Sequence, residues 1–138
     1  MTASELEERL AREFPQGSYG KRIHIEAVGQ MTARLRYTVN ERNLRPGGTV
    51  AGPTLMGLAD GAMYVAVLAH IGWVPHAVTT SLTINFVKKP KAVDLIAECK
   101  LIKLGKRLAV GDVGIRSNGD DELVAHCVVT YSIPPHGH

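Results

Sequence analysis

Asp60 is the only acidic residue in an apolar run, Thr54 to Ile71, that reads TLMGLADGAMYVAVLAHI. A carboxylate buried without partners is costly, so a residue in that setting needs a partner or a task. One reading is a structural acid that caps a helix or pairs with an arginine. The other is a general base or nucleophile, because desolvation makes a carboxylate a better base near neutral pH. Immediately upstream lies a Gly/Pro-rich loop, Arg45 to Pro53 (RPGGTVAGP). Such a loop, running into a helix, presents free backbone N–H groups and the positive end of the helix dipole. That suits an oxyanion or a phosphate; a plain connection with a glycine cap is the structural alternative. A P-loop is excluded, because Gly47 to Gly52 has the spacing but Pro53-Thr54 stands where its lysine is needed. Dinucleotide binding is excluded too, since no parallel βαβ pattern follows.

The elements that must position these residues are legible. The Asp60 segment is apolar nearly all round, which predicts a buried central helix. Gly52 as N-cap, Pro53 in the first turn and Gly72 at the end give it sound limits, and its length is about 27 Å. Before it, residues 31 to 40 alternate, with Ala33, Leu35, Tyr37 and Val39 on one face, as in a half-buried strand. Residues 23 to 28 read as a strand leading into it. At the N-terminus Ser4 and Glu7 have capping-box form, and Leu6, Leu10 and Phe14 recur at helical spacing, with Pro15 and Gly17 as the stop. After the central helix come four segments rich in Val, Ile and Thr: 78 to 89, 92 to 103, 107 to 116 and 122 to 133. Their short connections, including the hairpin signal Asn118-Gly119, predict an antiparallel meander. A helix apolar on every side cannot be satisfied by one sheet face, so a second subunit is the expected cover.

Composition narrows the function. The 138 residues suit one domain over 1–138, with 1–20 as helix and lead-in and 134–138 as a tail. Net charge is +3 and aromatics are 5%. No basic stripe is interleaved with aromatics, so nucleic acid is not an expected partner. Cys99 and Cys127 support neither a disulfide framework nor a zinc cluster, and the six histidines show no ligand spacing, so no metal is expected. The longest apolar run carries Asp60 and His70, which argues against a membrane span. The charged, amphipathic start is unlike a signal peptide, and the expectation is a cytoplasmic protein.

Taken together, the motifs resemble a known family. Gly48-Thr49-Val50-Ala51-Gly52-Pro53, followed by Leu58-Ala59-Asp60, is similar to the hotdog acyl-CoA thioesterases of the phenylacetate-pathway and 4-hydroxybenzoyl-CoA branch. Their pattern is Asn-x-x-Gly-x-x-His-Gly-Gly with an acid nine residues after the His. Ser81 to Pro90 (SLTINFVKKP) resembles the family strand ending in Phe-x-(Arg/Lys)-Pro, and Leu104-Gly105-Lys106-Arg107 its Gly-(Lys/Arg) hairpin. Roughly residues 30 to 133 take part in the resemblance. It implies an α+β hotdog fold, a long central helix wrapped by an antiparallel sheet of five or six strands. It also implies hydrolysis of a small or medium acyl-CoA at a homodimer interface, in a dimer or a dimer of dimers. The Gly52 N–H would polarise the thioester carbonyl. Asp60 from the facing subunit would act as base or nucleophile, and Thr79 or Ser81 would place the water, alternation putting both on one face. Lys88, Lys89, Pro90, Lys106 and Arg107 would meet the CoA moiety. CoA enters only as part of the substrate, with no other cofactor.

Three positions depart from the pattern. Arg45 replaces the Asn, Ala51 the His and Pro53 the second Gly. Pro53 has no N–H, but that of Gly52 survives. Arg45 could reach Asp60 across the interface or bind a carboxylate on the acyl group. These departures keep a rival open, a non-catalytic acyl-CoA binder on the same fold. A hotdog dehydratase would want a His paired with the acid, and the sequence places none beside Asp60. A purely structural dimer module leaves Asp60 unexplained.

Overall fold

The computed structural model describes residues 1–39, 44–45 and 49–135, with the side chains of Leu44, Arg45 and Thr49 excepted. The Gly48 match, the Arg45 side chain and the tail residues 136–138 therefore lie outside the described residues. Helix α1 spans Ala3–Glu13, strand β1 Ile23–Gly29 and β2 Thr32–Tyr37. The Gly/Pro-rich stretch carries two short paired strands, β3 Leu44–Arg45 and β4 Thr49–Val50. Helix α2 then runs Gly52–Ile71, followed by β5 Val78–Phe86, β6 Leu95–Leu104, β7 Leu108–Ser117 and β8 Leu123–Ser132.

The long strands form one antiparallel sheet in the order β1-β2-β6-β7-β8-β5. This corrects the expected meander: only β6, β7 and β8 follow one another, while β5 lies at the far edge against β8. The segment after β5 does not turn back as a hairpin but crosses the end of the sheet. The N–H groups of Val87 and Lys88 donate to the Val124 carbonyl, and Lys91 N–H donates to Ser117 Oγ. Positive φ at Gly72 (93°) and Gly119 (87°) marks the end of α2 and the β7–β8 turn, where only glycine sits without strain. This is the hotdog arrangement, one long helix wrapped by six strands.

Helix α2 buries ten residues, among them Leu55, Leu58, Met63, Val65 and Leu68, chiefly against β2, β6 and β7. By length and composition α2 is long and apolar enough to cross a membrane, and half of it is buried inside the fold. The core draws buried side chains from α1, β1, β2 and β6 to β8 as well as α2. Strand β5 contributes only the half-buried Leu82 and Ile84, and Val78 and Phe86 are 55% and 52% exposed. One edge of the fold is thus apolar and uncovered.

Helix α1 is tied down differently from its capping pattern. Thr2, not Ser4, is the N-cap and accepts from Glu5 N–H at 3.1 Å. Glu7 instead reaches β1, accepting the Ile25 N–H at 2.6 Å, because Leu6 and Leu10 roll that face onto the sheet. In the last turn of α2, His70 Nε2 accepts the Met31 N–H at 2.7 Å, so its Nδ1–H faces the Ala66 carbonyl, also at 2.7 Å. His70→Ala leaves the Met31 N–H unpaired in a half-buried turn. A urea melt is expected to show a loss of about 1–3 kcal/mol.

Candidate active site

Asp60 sits half-buried on α2, where the helix faces β5 and β8. Thr79 Oγ1 donates to Asp60 Oδ1 at 2.5 Å. Tyr131 Oη donates to the same oxygen at 3.1 Å and lies 3.3 Å from the Asp60 carbonyl. Burial pushes the Tyr131 phenol up, so it keeps its proton and stays a donor. Both hydroxyls therefore hold Oδ1, and Oδ2 has no hydrogen-bond partner among the described residues. A cavity of about 540 Å³ opens here, walled by Phe14, Tyr19, Gly61, Tyr64, Ala77 and Val78.

Thr79 reaches the acid because β5 bulges. Its register against β8 slips between Thr79 and Ser81, so Thr79 opposes Tyr131 while Ser81 opposes Thr130. Directly opposed residues share a face. Thr79 thus faces α2 with the buried Tyr131, and Ser81 faces away. This corrects the expectation that alternation puts Thr79 and Ser81 together; the extra residue, Thr80, breaks the period. Tyr131 was not picked out from the sequence. The available signal was its inward position, in phase with Ala125, Cys127 and Val129, since a buried tyrosine needs a partner for its hydroxyl.

Gly52 lies about 12 Å up the helix from Asp60. Ala51, not Gly52, is the N-cap, at φ −67° and ψ 146°, and it makes no side-chain hydrogen bond. Its carbonyl takes Thr54 N–H and Leu55 N–H. Gly52 is therefore the first helical residue; its N–H has no intrahelical acceptor, and Pro53 has none to offer. This open donor borders a second cavity, about 580 Å³, lined by Val50, Leu55, Phe86, Lys88, Lys89 and Pro90. The acid and the donor thus belong to two different cavities of one chain.

The basic candidates also fall into two groups. Lys88 and Lys89 follow the end of β5. Lys106 and Arg107 are exposed in the β6–β7 turn, beside the start of β5, since Leu108 and Val78 both oppose Ser132. The length of β5, about 26 Å, separates them. Lys88 is already engaged by Asp120 at 2.8 Å and Glu122 at 3.1 Å, while Lys89 makes no ion pair among the described residues. The Lys88 ammonium and the Glu122 N–H hold the Asp120 carboxyl down from the ordinary 3.8 to about 2. A carboxyl depressed in the fold stabilises above its ordinary pKa and loses that contribution as pH falls through its folded value. The stability advantage of wild type over Asp120→Asn is therefore expected above about pH 4 and to close toward pH 2 in acid melts. Cys99 and Cys127 are free and buried, with burial pushing their thiols up to about 12 and about 11. No cluster of His, Cys, Asp and Glu able to hold a metal occurs among the described residues.

Known proteins carry the same architecture. Residues 47–130 match the family model described as the thioesterase superfamily. A Saccharolobus solfataricus protein provisionally assigned as an esterase is 31% identical over 133 residues, 96% of this chain and 86% of its own length. A crystal structure from Silicibacter sp. TM1040, provisionally assigned as a thioesterase, is 43% identical with a TM-score of 0.88 over 96% of this chain and 92% of its own. The phenylacetic acid degradation protein PaaI of Thermus thermophilus, in a mutant form, is 24% identical with a TM-score of 0.70, over 81% and 93% of the two chains. That last likeness speaks to fold alone.

Proposed function

Starting from a chain that belongs to the thioesterase superfamily, we propose that it hydrolyses a small or medium acyl-CoA to the free acid and CoA, at sites shared between two copies of itself. The observation that carries this reading is the placement of a held acid and an open N–H donor at opposite ends of an uncovered strand. Asp60, held through Oδ1 by Thr79 and Tyr131, lies at the start of β5. The open Gly52 N–H lies at its end, with the Phe86 ring beside it. A two-fold axis running between antiparallel β5 strands would set the start of one on the end of the other. Each Asp60 would then face the partner's Gly52 N–H, and the Lys106–Arg107 turn would approach the partner's Lys88–Lys89 segment. The same pairing covers Val78 and Phe86 and satisfies the open edge.

In such a site Asp60 Oδ2 takes a proton from water as the water oxygen attacks the thioester carbonyl. The Gly52 N–H stabilises the oxyanion that forms. The C–S bond then breaks and the CoA sulfur leaves with the proton. The reaction consumes only water, so the proposal requires no metal or redox cofactor. Lys89, Lys106 and Arg107 have charge to spare for the CoA phosphates, and Lys88 would have to exchange its carboxylates for them. We place this activity in the cytoplasm.

Thiol release from a panel of acyl-CoAs tests the reading. Turnover on some member supports it. Tight binding of acyl-CoA with no turnover on any member would replace it with the non-catalytic binder, and the changes at Arg45 and Ala51 would then be the reason.

A further inference from the structure

The cavity beside Asp60 owes one wall to residues that the family model does not span. Phe14, Gly17, Ser18 and Tyr19 line it, while the match begins at residue 47. This lead-in is fixed rather than draped. Glu7 anchors α1 to β1, Arg9 lies 4.2 Å from the Trp73 ring centroid, and the Phe14 and Trp73 rings sit 6.4 Å apart. Tyr19 is bridged to Ile23, and its hydroxyl packs against α2, 3.2 Å from where a Cβ on Gly61 would stand.

Most hydroxyls in this cavity are already committed. Thr79 and Tyr131 donate to Asp60, and Tyr64 donates to the Pro75 carbonyl at 2.9 Å. Tyr19 Oη makes no hydrogen bond among the described residues. Burial pushes its phenol up, so it remains a donor wherever the enzyme would work. Facing the cavity with no acceptor among the described residues, this hydroxyl is free to donate to a ligand oxygen in place of solvent. Gly61 follows Asp60 directly, and successive helical residues point about 100° apart. The Tyr19 hydroxyl thus stands beside the acid, within a few bonds of any carbonyl that the acid can reach. Asp60 is also close enough for its charge to act on Tyr19, which disfavours a second anion there.

We infer that the Asp60 cavity is the acyl pocket and that the Tyr19 hydroxyl is its selectivity element, taking acyl groups with a neutral oxygen acceptor, a hydroxyl or oxo group, a few bonds from the thioester. The inference rests on the proposed function for the direction of the acyl group, but its test does not need turnover. Matched hydrolysis-resistant thioethers, S-butyl-CoA and S-(3-hydroxybutyl)-CoA, are titrated calorimetrically into wild type, Tyr19→Phe and Gly61→Ala, with thermal midpoints recorded for each. The expected result is a wild-type preference for the hydroxylated analogue. Tyr19→Phe should reduce that preference about three- to tenfold, with affinity for S-butyl-CoA within about twofold of wild type. Gly61→Ala, which crowds the hydroxyl from the helix side, should reduce it in part. Equal affinity of wild type for the two analogues, or an equal loss on both in Tyr19→Phe, overturns the inference. Thiol release from butanoyl-CoA and 3-hydroxybutanoyl-CoA by wild type judges the thioesterase reading separately.

Discussion

Asp60→Asn is expected to lower kcat at least about a hundredfold on any acyl-CoA that the wild type turns over, with kcat/KM falling by the same factor. The substitution is nearly isosteric. Its amide oxygen can still accept from Thr79 and Tyr131, so the contacts that seat the residue survive. What is lost is the carboxylate oxygen that could take a proton. A drop in kcat with an unmoved melting temperature therefore reports chemistry and not folding. Turnover indifferent to the change would remove Asp60 from the mechanism and leave its two hydroxyl partners as a structural network.

Gly52→Pro is expected to cost about 10² to 10³ in kcat, the usual worth of one oxyanion donor. Proline is tolerated at the first helical position, and Ala51 already holds the extended conformation that a residue before proline adopts. The change thus deletes the N–H while leaving the helix start in place. Gly52→Ala is the control. It keeps the N–H, and its Cβ would make ordinary contact with the Phe86 ring at 3.4 Å. Activity retained in the alanine variant and lost in the proline variant would assign the effect to the hydrogen alone. The two inactive variants also test each other. If one site takes Asp60 from one copy and Gly52 from the other, mixed dimers carry one intact site, and refolding an equal mixture should restore activity to about a quarter of wild type. No recovery in verified mixed dimers would place both groups in the same copy's site.

The sequence announced some of this site and hid the rest, for physical reasons. An acid in an apolar helix and a glycine-proline helix start are local anomalies, visible from composition over a dozen residues. Helix and strand types also followed from local periodicity. The strand order did not, because the place of β5 against β8 is a pairing between residues some fifty apart, whereas connection length suggested a hairpin to β6. The expectation that Thr79 and Ser81 share a face failed on a single residue. Period-two reasoning assumes an unbroken ladder, and the bulge at Thr80 puts Thr79 on the face of Leu82, Ile84 and Phe86 instead of that of Ser81. The Glu7 capping box failed in a similar way: a tertiary acceptor role, to the Ile25 N–H, outweighed the local one. Tyr131 carried only a weak signal, because an inward tyrosine reads as core until its hydroxyl is seen to meet a carboxylate from another element.

The uncovered β5 edge has a consequence for how the activity would scale. If each site takes Asp60 from one copy and Gly52 from the other, a lone chain would be inert and the working species would depend on the square of the free chain concentration. Above the dissociation constant of the pair, specific activity is constant. Below it, each halving of the protein removes more than half of the catalysis. Expression level would then act as a threshold, and a mutation that merely loosens the edge would behave like a change in gene dosage.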